Sequence, residues 1–251
     1  MIRAVVALAL IGAFGVARMP LERSLESAEV RDGLRSSPPF LELRARTGQL
    51  GFLAALSGFR SPLAAYLWIE AHAAWQRTEW GRMAGLFETV TALQPRSPFY
   101  WDMAAWHMAW NASAAALQDP SQPSETLRIR SQRQYFGLGR DFLYRGIKNN
   151  PESSMLYRSL GILLRDKLHD HCGAGEAFLK ASQLPDAAPY LERFAGYELA
   201  QCPGREQVAY EILRRIYDQG ESARKPALTA TLRELEKKLD VPEAQRVNST
   251  D

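Results

Sequence analysis

An all-helical chain built from about four helix pairs, with one further helix closing its C-terminal end, is predicted by three observations. Apolar and small residues recur at helical spacing in segment after segment, prolines end segments at 95, 151 and 185, and capping residues or prolines open the ones that follow. The clearest unit runs from Ser154 to Pro185. Its first half carries Tyr157, Leu160, Gly161 and Leu164, and its second half Ala174, Phe178 and Ala181. Large residues there fill a seam between two helices, Gly161 and Ala174 let the backbones approach, and Pro185 stops the second helix.

The other elements follow in chain order. Arg3 precedes a charge-free apolar run from Ala4 to Ala17, closed by Arg18. Fourteen residues fall short of the roughly 20 that span a bilayer and suit the core of a signal peptide. An uncleaved signal anchor with snorkelling arginines is the alternative, so residues 1–18 are read as one or the other. Residues 19–60 are read as a stalk or cap: an amphipathic helix near Leu21–Arg35, a break at Pro38-Pro39, and an apolar, glycine-rich stretch to Gly58. The repeated helices are assigned to residues 61–222. Ser61-Pro62 opens the first helix, with Trp68, Ala71 and Trp75; the second carries Met83, Phe87 and Val90.

The next pair opens at Ser97-Pro98. The interval between the prolines at 95 and 151 is 56 residues, against 34 between 151 and 185. Without a breaker from Ala109 to Leu117, and with Ser124 placed as an N-cap, the 22 extra residues predict helices lengthened by about three turns each. A fourth pair covers Ala188–Gln201 and Arg205–Gln219. Leu228, Leu232, Leu235 and Leu239 then give a one-sided capping helix within 223–240, and the polar residues 241–251 are expected to be disordered.

The unit from Tyr157 to Pro185 follows the tetratricopeptide signature, W-x2-L-G-x2-Y then A-x3-F then proline, apart from one added residue in its turn and one fewer before the proline. The chain therefore resembles the tetratricopeptide family, which implies a right-handed α-solenoid. From Phe59 to Ala181 it is similar to bacterial tetratricopeptide proteins with a single N-terminal hydrophobic segment. The wording that carries this is Gly58-Phe59-Arg60, Tyr66-Leu67-Trp68-Ile69, Leu93-Gln94-Pro95 and Ala109-Trp110-Asn111. That group has no established activity.

Composition narrows the function classes. The chain has 251 residues, 46% of them hydrophobic, and a net charge of +3, which gives no strongly basic face for nucleic acid. Its 25 arginines against 6 lysines suit a GC-rich genome as well as any function. No Ser-His-Asp set, phosphate-binding glycine loop or HExxH motif occurs, so no enzymatic activity and no cofactor are expected. His169, His171, Cys172 and Cys202 are metal-ligand types, but their spacing matches none of the common zinc patterns and a polar turn is the plainer reading. His72 and His107 sit singly on apolar helices, as core or surface histidines do. Asn111 and Asn248 head glycosylation sequons that matter only in a eukaryotic secretory pathway.

The resemblance implies a concave face lined by fixed positions of each first helix. Here these are Trp68, His72 and Trp75; Asp102, Trp106 and Trp110; Arg158, Ile162 and Arg165; and Arg193 and Tyr197. The face is aromatic at one end and arginine-rich at the other, although the tryptophans suit a buried seam equally well. The lysine- and asparagine-based carboxylate clamp of chaperone-binding relatives has no counterpart at these positions. The expected function is a scaffold that binds a partner protein or peptide, held at the cell membrane with its soluble domain outside the cytoplasm. Secretion or periplasmic release after cleavage is the alternative location. A module that stacks sugars or small ligands on the tryptophans is the alternative function. Cys172 and Cys202 fall at the start of one helix and the end of the next. Antiparallel neighbours bring those ends to one edge, where a disulfide, two separate thiols and a metal site are all open readings.

Overall fold

The structure is a computed structural model that describes residues 58–122 and 124–247. The expected export segment, the helix at 21–35 and most of the 19–60 cap lie outside the described residues. Every regular element among those described is helical: α1 Arg60–Gln76, α2 Trp80–Leu93, α3 Pro98–Trp106, a π-helical segment His107–Ala112, α4 Ser113–Leu117, α5 Glu125–Asn149, α6 Ser154–Leu168, α7 His171–Ser182, α8 Leu191–Ala200, α9 Glu206–Tyr217 and α10 Pro226–Lys238. Short 3-10 turns occupy Glu221–Ala223 and Glu243–Gln245.

The helices pack in chain order. α1 lies on α2, α5 on α3, the π segment and α4, α6 on α5, and each later helix on the one before it. α3 also touches α6, and α8 touches the closing helix α10. The apolar spacing causes this. Ala64, Leu67, Ala71 and Ala74 form one buried stripe on α1, facing Met83, Phe87 and Val90 of α2. At the other end Ile212, Leu213 and Ile216 of α9 form a core with Leu228, Leu232 and Leu235 of α10.

Close approach at the seams depends on missing side chains. A Cβ on Gly161 would stand 2.6 Å from the Phe178 ring, and one on Gly196 2.5 Å from Leu213. The side chain of the following helix occupies the notch that each glycine leaves. Polar joints fix where pairs meet. The Pro95 carbonyl accepts from Trp101 Nε1 at 3.0 Å and from Asn150 Nδ2 at 2.8 Å. Ser154 Oγ donates to the Asp186 carbonyl. Arg145 makes a bidentate pair with Glu88, both bonds 2.7 Å, and lies 4.8 Å over the Phe142 ring.

Several expectations need correction. α1 starts at Arg60 behind Phe59, so Ser61 lies inside the first turn, where its hydroxyl accepts from Gln94 Nε2. The lengthening of the second pair is uneven: its first helical run spans 9, 6 and 5 residues and α5 spans 25, against 15 for α6 and 12 for α7. The C-terminal residues pack as far as Val247, which is buried and donates its backbone N–H to Glu236 Oε1 at 2.9 Å, while Arg214 holds the Gln245 carbonyl. Glu236 is itself buried; its carboxylate takes the Val247 N–H and has Arg214 Nη1 3.9 Å away, contacts that the polar composition of the segment does not reveal.

The His169–Cys172 stretch is a turn with a task for each residue. His169 takes the left-handed conformation (φ 53°) at the end of α6, where the unit has its added residue. Asp170 caps α7 by accepting from the Gly173 N–H at 2.8 Å. Cys172 is bonded to Cys202, with Cα atoms 4.8 Å apart, tying the start of α7 to the segment after α8.

Two stability outcomes follow. Gly161→Ala is expected to destabilise by roughly 1–3 kcal/mol through overpacking, despite a helix-propensity gain of about 1 kcal/mol. At Gly137, where an added Cβ meets nothing within 4 Å, the same change should stabilise by about 0.5–1 kcal/mol. Urea denaturation of both variants checks this contrast. Cys202→Ser should cost roughly 3–4 kcal/mol, since the bond closes a loop of 30 residues; a midpoint matching that of the reduced parent protein would show that the bond supplies the whole effect.

Candidate functional site

A cleft of about 270 Å³ opens where α3 and the π segment meet α5 and α6. Asp102, Trp106 and Trp110 reach it from the first helical run, Arg158 and Ile162 from α6, and Leu143 closes it from α5. The spacing accounts for this. Asp102, Trp106 and Trp110 recur every four residues, so they stay on one side of the helix, and Arg158 and Ile162 do the same on the next. A π segment widens the turn at His107–Ala112 and sets the stagger between Trp106 and Trp110.

The electrostatics of the cleft are balanced. Burial pushes the Asp102 carboxyl pKa upward, opposed by the Ser159 hydroxyl that donates to it and by the charge of Arg158. Arg158 Nε is buried and has no hydrogen-bond acceptor. Trp106 is 44% exposed, a high value for an indole, and its ring meets His107 edge-on. Trp110 is half-buried, with Lys167 Nζ 5.1 Å from its ring centroid.

The remaining candidates are placed differently. Trp68 is half-buried between Phe87, Phe99 and Tyr100, whose ring centroids lie within 5.5 Å, and is not part of this cleft. Trp75 is half-buried against His107, while His72 is exposed beside Trp75. Arg165 binds Asp166 Oδ1 at 2.6 Å and lies over Phe178 and Phe194, so much of its charge is already matched. Arg193 and Tyr197 are half-buried on α8, and burial raises the Tyr197 pKa.

Beyond the cleft residues expected from the sequence, three others stand out, the last of them outside the cleft. Leu143 and Ser159 line the cleft from positions that a helical pattern marks only as seam and surface. Glu198 is the third, a buried carboxylate whose Oε2 lies 2.7 Å from His171 Nδ1. Its place one residue after Tyr197, among apolar residues of α8, is the signal that was available.

His107 lies under the tryptophans and is buried. Asn111 Nδ2 donates to its Nδ1 at 3.0 Å, which requires that nitrogen to be unprotonated and leaves the proton on Nε2. Burial, helped by nearby His72, lowers its pKa to about 4 from 6.5. The unfolded chain therefore takes up a proton that the folded chain refuses. Stability is complete above pH 6.5 and falls as the pH drops towards 4, by up to roughly 3 kcal/mol. His107→Leu should flatten that part of the stability profile, as read from denaturation midpoints between pH 7 and pH 4.

Comparison with protein-family models and with curated proteins finds no match for this sequence.

Proposed function

We propose that the chain is a non-enzymatic scaffold: a tetratricopeptide-like, right-handed solenoid that holds a partner protein or peptide in its concave face and is anchored or exported by residues 4–17. The observation that carries this reading is the cleft itself. It gathers Asp102, Trp106, Trp110 and Arg158 from two successive first helices, at the positions that line the groove in such solenoids. The order of packing, with the main contacts among the described helices made by neighbours and next neighbours, supports the solenoid. Two part-exposed indoles and an arginine have the composition of an interface hot spot. Ser159 donates to Asp102 with no histidine among the lining residues, an arrangement suited to binding more than to acyl transfer.

Crosslinking in native membranes, followed by recovery of the full-length chain, tests the proposal. A discrete partner should be recovered with the parent protein and reduced at least tenfold by Trp106→Ala, with circular dichroism of the variant showing that its helices are retained. Equal recovery with Trp106→Ala and with Arg158→Ala would remove the cleft from the interface.

A further inference from the structure

We propose that α1 is not the end of the helical stack, and that residues 48–57 of this chain lie along its outward face, over Tyr66 and Ile69. This contact is separate from the cleft and does not depend on what binds there.

The two ends of the described stack are finished differently. At the C-terminal end α10 buries Leu228, Leu232 and Leu235 and leaves Glu234, Lys237 and Lys238 exposed, the polar outer face that a terminal helix requires. α1 has no such face. It buries Ala64, Leu67, Ala71 and Ala74, yet Phe59, Tyr66 and Ile69 on its other side are 62%, 58% and 64% exposed. With Pro62, also exposed, they recur every three or four residues and so form one stripe. Glu70 is the one Asp, Glu, Lys or Arg between Arg60 and Arg77, and it is paired with Arg82 of α2. A helix that is apolar on both sides belongs inside a stack, not at its edge.

The occupant follows from what the chain places next to α1. Arg46 and Arg60 bracket a run without a charge, and Leu50, Phe52, Leu53 and Leu56 lie in it. Gly58 precedes α1 in the left-handed conformation (φ 76°), so the chain turns there and does not extend the α1 axis. From Phe59 to Ile69 the stripe runs for about 15 Å. Residues 48–57, running back from Gly58, cover that length whether helical or extended. Tethering also gives them an effective concentration at the stripe that a separate molecule does not match. A second copy of the chain is the poorer occupant. The three exposed side chains supply on the order of 400 Å², about half of the roughly 800 Å² per partner that a stable interface buries.

Oxidative footprinting of the full-length chain in detergent provides the test. Tyr144, 50% exposed on α5, is the open reference and Tyr217, 4% exposed, the closed one. In the parent protein Tyr66 should be oxidised roughly fivefold more slowly than Tyr144, although the described helices leave it the more exposed of the two. Leu53→Asp combined with Leu56→Asp should bring Tyr66 close to the rate of Tyr144 while Tyr217 stays protected, and Leu53→Ala alone should move it part of the way. Tyr66 oxidised as fast as Tyr144 in the parent protein would overturn the inference on the unaltered chain. Protection that survives the substitutions would overturn it too: such protection falls on dilution if a second copy covers the stripe, and changes with the detergent or lipid if a membrane does. Each of those results leaves the partner-binding reading of the cleft untouched.

Discussion

The spacing between helices is the constraint on which the rest of this structure depends. Where Gly161 faces Phe178 and Gly196 faces Leu213, an absent Cβ lets a large side chain of the next helix sit against bare backbone. Each notch fixes how far the next helix slides and turns, because a knob has one place to go. The polar joints at Pro95 and Asp186 then act on helices whose register is already set, and settle the angle at which pairs follow one another. Side chains at four-residue intervals consequently stay on one surface across a pair boundary, which is how Asp102 and Arg158 come to share a cleft.

The lengthened second pair shows the same logic applied to an irregular element. α5 is long enough to touch three elements of the preceding run as well as α6. Gly139 sits against Ala109 and the Ala105 carbonyl at the point where the π segment widens the helix, so the wider turn and the missing side chain accommodate each other. Arg145 ties the C-terminal half of α5 to α2 through Glu88 while covering Trp101 and Phe142. The cleft lies beside these two contacts, with Leu143 of α5 as one of its walls.

Much of the fold was legible because periodicity and punctuation report local structure directly. The start of α3 at Pro98, the extended Ser124 before α5 and the leucine face of α10 all reflect preferences that act within a few residues. The site was legible in part. Asp102, Trp106, Trp110 and Arg158 share their faces by helical arithmetic, but Trp68, on the equivalent face of α1, is met by Phe99 and Tyr100 and lies outside the cleft. Which aromatic residues remain accessible is decided by contacts distant in sequence, and no spacing rule contains them. Arg165 and Val247 show the same limit: one lies over Phe194 of another helix, and the other reaches a buried glutamate on a different helix. The uneven lengthening of the second pair, with a π segment in one member, likewise leaves no mark in the hydrophobic pattern.

That pair has a consequence for how such a chain can change over generations. Its extra residues sit on top of an ordinary joint: α3 still begins three residues after Pro95, and α6 three residues after Pro151. The spacing of the joints is therefore independent of its height. A gene encoding this architecture can gain or lose helical turns at the far end of one unit without a matching change elsewhere. Because the same unit forms one wall of the cleft, such variation alters what stands beside the opening and spares the frame that holds it.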